Sequence, residues 1–163
     1  MKKVLVVMGS DSDLKVMEKC VDRLKSFDIP TEVRICSAHR TPAVAEQLAK
    51  NAAAEGFGVI IAAAGKAAHL GGVLAAYTTL PVIGVPMATS VMGGMDSLLS
   101  IVQMPKGIPV ATVAIDGADN AAILAAQMIA LSDDVLAQKL AQFKADMAAE
   151  VTAKDEKVRA QFA

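Results

Sequence analysis

Five short β-branched and apolar runs, each followed by an amphipathic or Ala-rich run, leave this chain few ways to fold. Lys3–Met8 is apolar on successive positions, the pattern of a strand buried on both faces. Leu14–Phe27 then sets Met17, Cys20, Val21, Leu24 and Phe27 on one helical face, and Ile29-Pro30 ends it. Thr31–Cys36 reads as a second strand. Thr41 is expected to cap the next helix, with Pro42 at its first position and Gly56 closing it. Val59–Ala64, Pro81–Val85 and Pro109–Ile115 read as three further strands. Between and after them, Leu70–Tyr77, Asp96–Gln103 and Ala118–Leu131 read as helices, the last Ala-rich and of a low polarity that suggests burial.

Strand alternating with helix calls for a parallel sheet covered on both faces. Right-handed crossovers then give a three-layer α/β fold, flavodoxin-like in kind. The expected division is an α/β core over residues 1–131 and a helical extension over 132–163. In that extension Leu136, Leu140, Phe143, Met147, Val151, Val158 and Phe162 recur mostly at three- and four-residue spacing. Such a helix can pack against its own domain, but one so long readily overhangs it, and packing on a neighbouring subunit is the favoured expectation.

Composition removes several functional classes. The chain has 163 residues, 54% of them hydrophobic and 20% charged, with a net charge of −1. Disorder needs the opposite balance, and a nucleic-acid or anionic-membrane partner needs a basic field. No apolar run reaches the ~18–20 residues of a membrane helix. The apolar stretch at the N-terminus breaks at Gly9 and meets acidic residues at once, unlike a secretory signal. A cytoplasmic location is expected. With aromatics at 3%, the core must be built from Ala, Val, Ile, Leu and Met, and such a chain invites cover by further subunits. Cys20 and Cys36 form no disulfide framework or zinc motif and read as small buried hydrophobes.

In open parallel sheets, ligands bind beyond the carboxyl ends of the strands. The loops after the first four runs are therefore the ones to read. The first, Gly9-Ser10-Asp11-Ser12-Asp13, offers small residues and hydroxyls before a helix N-terminus, which suits an anion. Its carboxylates would repel phosphate. Ser10 or Ser12 at a phosphate with Asp13 at sugar hydroxyls resolves that conflict and implies a nucleotide-like ligand; an ordinary helix cap reads equally well. The second loop, Ser37-Ala38-His39-Arg40, joins a group that titrates near neutrality to a fixed phosphate-binding fork. The third, Gly65-Lys66-Ala67-Ala68-His69, lets a ligand approach backbone closely and carries the second of only two histidines. The fourth, Met87–Gly94, is Gly-rich and reads as ligand-covering, though turn chemistry explains it nearly as well. The loops hold no aromatic ring for stacking a flavin and no carboxylate–histidine spacing of a metal site. Neither cofactor nor metal is expected.

Gly9-Ser10-Asp11-Ser12-Asp13, Ser37-Ala38-His39-Arg40-Thr41-Pro42, Ala67-Ala68-His69-Leu70, Pro81–Pro86 and Asp96–Pro105 occur in one order. Together they resemble the aminoimidazole ribonucleotide mutase and carboxylase family of purine biosynthesis, over nearly all of Val4–Leu131. Within it they resemble the N5-carboxyaminoimidazole ribonucleotide mutase class. The related direct carboxylases usually carry Lys at the position of Arg40, and Ser-Asn at that of Ala68-His69. Two positions depart from the pattern: many members have Gly where Lys66 stands, and Pro where Gly71 stands. The resemblance implies an isomerase acting on a ribonucleotide, without a cofactor, in a homo-octamer whose C-terminal helix reaches a neighbour. It implies that Ser10, Asp13 and Arg40 bind substrate and that His39 transfers protons.

Two other activities would use similar loops. Direct carboxylation of aminoimidazole ribonucleotide by CO2 shares the site. A non-catalytic receiver-like module should carry Lys after its last strand, where this chain has Asp116-Gly117.

Overall fold

The computed structural model describes residues 1–163. Its strands are β1 (Lys3–Met8), β2 (Thr31–Ile35), β3 (Phe57–Ala64), β4 (Val82–Pro86) and β5 (Ala111–Thr112). Its helices are α1 (Leu14–Ser26), α2 (Pro42–Ala52), α3 (Leu70–Tyr77), α4 (Met95–Val102), α5 (Ala118–Ala130) and α6 (Asp134–Gln161). All strand pairs are parallel, in the order β2-β1-β3-β4-β5. This is the three-layer, flavodoxin-like arrangement. The order reverses between β1 and β3, so the crevice of the fold opens above the carboxyl ends of those strands.

Successive residues of the central strands feed opposite faces. Val4, Val6 and Met8 of β1, with Val59, Ile61 and Ala63 of β3, pack beneath α1 and α5. Leu5 and Val7, with Ile60, Ala62 and Ala64, pack beneath α2 and α3. Continuous apolar runs follow because both faces are dry. Helix α5 buries Ala118, Ala121, Ala122, Ala125 and Ala126, so the Ala-rich run lies close to the sheet as its composition requires. At Gly84 in β4 an added Cβ would come within 2.3 Å of Ile101 in α4. A glycine there is what lets that helix lie against the strand.

Three local expectations need correction. The fifth run, Pro109–Ile115, pairs only over Ala111–Thr112. Pro109 has no N–H to donate, and the pairing register holds only Ile83 to Ala111 and Gly84 to Thr112. Thr41 does not cap α2 with its side chain. Its hydroxyl instead donates to Ser37 O at 2.9 Å and accepts from Ser37 N–H at 3.0 Å, tying the preceding loop together. Gly56 does not close α2, which ends at Ala52. It stands further on, at φ 88°, where the chain turns into β3.

Helix α6 is 28 residues long, roughly 42 Å at 1.5 Å per residue. Its first turns belong to the core. Leu136 is fully buried, and Leu140 and Phe143 pack against the same cluster. Phe143 meets Phe27 edge-on at 5.5 Å between centroids, and the Arg23 guanidinium lies 4.7 Å from its ring. Lys139 adds an ion pair of 2.6 Å to Asp28. Beyond this, Met147, Val151, Val158 and Phe162 stay exposed, Val151 by 65% and Phe162 by 86%. No helix is long and apolar enough to cross a membrane.

Candidate active site

The loops after β1, β2, β3 and β4 meet around one cleft of about 680 Å³ at the carboxyl edge of the sheet. That volume suits a small organic ligand. Its lining includes Ser10, Ser12, Asp13, Ser37, Ala38, His39, Arg40, Gly65, Lys66 and His69. These ten candidate residues of the first three loops are thus brought to one place.

After β1 the chain makes a single 3₁₀ turn at Asp11–Asp13 before entering α1. Ser10 caps this turn: its hydroxyl accepts from Ser12 N–H at 3.3 Å and donates to Asp11 Oδ1 at 3.1 Å. Asp13, only 8% exposed, accepts from the Ser12 hydroxyl at 3.4 Å. Burial pushes its carboxyl above the usual range. The bonds from Ser12 and Ser10 pull it back, and the nearby charges of Asp116 and Asp11 raise it further.

After β2, Ser37 organises Arg40. The Arg40 backbone N–H and side-chain Nε–H both donate to Ser37 Oγ, at 3.2 and 3.3 Å. One terminal nitrogen reaches Gly9 O at 3.5 Å, so the guanidinium leans across the root of the first loop. No carboxylate pairs with it. It therefore stands as an unneutralised, planar donor set at the cleft.

The same loop carries His39 towards the loop after β3. His39 Nε2 and His69 Nδ1 share a hydrogen bond of 2.8 Å, with the rings at 81° and their centroids 4.9 Å apart. His69 precedes α3 without a side-chain bond to that helix's backbone. Its imidazole serves the cleft and not the helix end.

The fourth side is Met87–Ser90, the first part of the Gly-rich loop expected to cover the ligand. Its root is held firmly. The buried Ser97 hydroxyl donates to Met87 O at 2.8 Å, Ala88 N–H donates to Asp116 Oδ1 at 2.9 Å, and Thr89 donates to Asp96 at 2.8 Å. Asp116 is a contributor that the four strand-end loops do not include. It follows β5, outside the four loops nearest the reversal of strand order, yet it pins Ala88 and its charge reaches Asp13. The rule that picks strand-end loops would have found it had it been extended to the fifth strand.

The cysteines take no part in this constellation. Both are buried. Burial pushes the Cys20 thiol up to about 12, and the Cys36 sulfur lies against Thr41. Neither is available as a nucleophile.

Comparison with known proteins gives one consistent result. Residues 3–150 match the family model described as AIR carboxylase. Over 159 residues the chain is 52% identical to the N5-carboxyaminoimidazole ribonucleotide mutase of Methanocaldococcus jannaschii, covering 98% of this chain and 99% of that protein. It is 54% identical over 153 residues to the mutase of Mycobacterium leprae, covering 94% of this chain and 90% of that one. Among solved structures, PurE of Treponema denticola superposes with a TM-score of 0.87 at 30% identity, covering 94% of this chain and 96% of that chain. The cleft therefore occupies the expected crevice of a fold and a sequence shared across most of the chain, and this protein belongs to the AIR carboxylase family.

Proposed function

We propose that this protein is an N5-carboxyaminoimidazole ribonucleotide mutase, an isomerase of purine biosynthesis. It moves a carboxylate from the exocyclic nitrogen of the aminoimidazole to the adjacent ring carbon. The observation that carries this reading is the His39–His69 pair beside an unpaired Arg40 in a cleft of nucleotide size, in a chain 52% identical to a mutase along nearly its whole length.

In this scheme Arg40 takes the phosphate through parallel N–H bonds, and backbone and hydroxyls of the Ser10–Ser12 turn complete the anion site. Asp13 accepts from the ribose hydroxyls. Gly65, Ala38 and Lys66 border the imidazole, with Ser37 bracing Arg40. Binding energy from the phosphate and ribose then orients the reacting ring.

The proton balance closes on one acid–base centre. Cleavage of the carbamate N–C bond releases CO2 and leaves the exocyclic nitrogen to take a proton. The electron-rich ring carbon attacks the CO2, forming a C–C bond at a carbon that still bears hydrogen. Loss of that hydrogen as a proton restores the aromatic ring. His39 gives the first proton and takes the second, so the enzyme ends the cycle as it began. Retaining CO2 beside the carbon gives the recombination its advantage by proximity. Met87–Ser90 closes the far side of the cleft and limits escape.

The protein is further read as a cytoplasmic homo-octamer, in which residues 132–163 form an extension whose exposed half packs on a neighbouring copy. The direct test of function supplies the N-carboxylated ribonucleotide without ATP. Conversion to the C-carboxylated isomer is expected. Turnover only with aminoimidazole ribonucleotide plus CO2 would instead make the protein a direct carboxylase.

A further inference from the structure

Three non-glycine residues hold a left-handed backbone: Asp28, Lys66 and Asp116. The conformation crowds Cβ against the carbonyl that follows. Aspartate tolerates it because a short polar side chain can bond locally. Lysine has no such compensation, yet Lys66 sits there at φ 56°. Backbone outliers of this kind persist where surrounding structure imposes them and gather at ligand sites.

Its surroundings fit that description. Lys66 stands in the loop after β3, next to Gly65, and lines the cleft. Its carbonyl lies 3.4 Å from the Ser100 hydroxyl of α4, a secondary contact because that hydroxyl donates to Asp96 O at 2.7 Å. Its ammonium group makes no ion pair, and no carboxylate of the protein neutralises it. Of the cleft's side chains only Arg40 and Lys66 are fixed cations. They rise from β2 and β3, which lie on either side of β1. Two strand spacings separate their roots, about 10 Å.

The substrate named above is also negative at two ends, its phosphate and its carbamate carboxylate. Arg40 answers the first. We propose that Lys66 answers the second: it is the specificity-determining cation that binds the migrating carboxylate, on nitrogen in the substrate and on carbon in the product. Lys66 and the paired imidazoles line the same cleft, so a carboxylate held by Lys66 sits in the space that the acid–base pair serves. A cation that holds the carboxylate before and after transfer contributes to binding in both ground states. It therefore acts on affinity more than on turnover.

This inference rests on the mutase reading, and the test separates the two. Lys66→Gly removes the charge and suits the left-handed backbone; Lys66→Arg keeps the charge. Calorimetry measures binding of the C-carboxylated ribonucleotide and of aminoimidazole ribonucleotide, which lacks the carboxylate. Steady-state kinetics measure KM and kcat for the N-carboxylated substrate. Lys66→Gly is expected to weaken the carboxylated ligand and raise KM by about 10-fold or more. Binding of aminoimidazole ribonucleotide should stay within about twofold of the parent, and Lys66→Arg should recover most of the loss. The melting temperature of Lys66→Gly should be equal or higher. Equal weakening of both ligands would assign Lys66 to the phosphate and overturn the proposal, as would unchanged affinity for both. A lower melting temperature together with weakened binding of both ligands would mark a structural role. Failure of the unsubstituted protein to bind either ribonucleotide would overturn the mutase reading, and this proposal with it.

Discussion

His39 Nε2 and His69 Nδ1 share one hydrogen bond of 2.8 Å, although the residues stand 30 positions apart on the loops of two different strands. Two ring nitrogens at that distance hold one proton between them. Whichever ring donates, the other must present a lone pair, so the bond sets the protonation of both at these atoms. With both rings cationic, two N–H donors would face each other and the bond would be lost. The pair therefore works as a unit, and removing either ring leaves the other without its partner.

Groups that act as a unit give non-additive losses when removed. His39→Asn should leave ribonucleotide binding near normal and lower turnover by about 10²-fold or more. His69→Asn should cost less, about 10-fold, through loss of orientation at His39. The double variant should be scarcely worse than His39→Asn alone. Multiplying losses, in a cycle of isomerisation rates with calorimetric affinities alongside, would show two independent functions.

Arg40 is exposed, and its bonds within the protein are long, at 3.3 Å to Ser37 and 3.5 Å to Gly9. Removing it should therefore cost little stability. Arg40→Ala is expected to keep the melting temperature within a few degrees while weakening ribonucleotide binding by about 10- to 100-fold. Normal affinity in this variant would remove the guanidinium from the phosphate site.

Asp13 gives the apo protein a pH signature. Burial raises its carboxyl above the ordinary value of 3.8, so the folded chain keeps this proton to higher pH than the unfolded chain does. The stabilising contribution is complete below that ordinary value and is lost as pH rises through the folded-state value. Asp13→Asn removes the titration. Without ligand, the variant should melt higher than the parent at pH 7, and the margin should shrink towards pH 4. Its ribonucleotide affinity should fall. A variant less stable than the parent at pH 7 would show that the ionised carboxylate supports the fold.

The exposed half of α6 can be tested apart from the fold. Ending the chain after Lys144 retains Leu136, Leu140 and Phe143, which pack on the core, and removes Met147, Val151, Val158 and Phe162, which do not. The truncated protein should keep its α/β circular dichroism and sediment as an assembly of fewer copies. An unchanged number of copies would place the contacts between them elsewhere.

Much of the architecture is legible in the sequence because burial on both faces leaves a local mark. Strands β1 and β3 are continuous apolar runs, and α5 is almost bare of charge, so their places could be read without any partner being known. The strand-end rule likewise picks out the loops that hold Ser10, His39, Arg40 and His69 before any distance is available. Where pairing depends on a neighbour, the local pattern misleads. The Pro109–Ile115 run looks like a full strand, but its pairing with β4 extends over only two residues. Thr41 has the chemistry of a cap, yet a stronger claim on its hydroxyl comes from Ser37, folded back four residues earlier. The tertiary structure alone decides that His39 and His69 share a proton, that Asp116 fixes Ala88 and presses on Asp13, and that Lys66 takes a backbone conformation suited to glycine. The reason is physical: periodicity and composition report which side of an element meets water, whereas hydrogen bonds, charge coupling and imposed dihedrals depend on distances between loops that only the assembled sheet brings together.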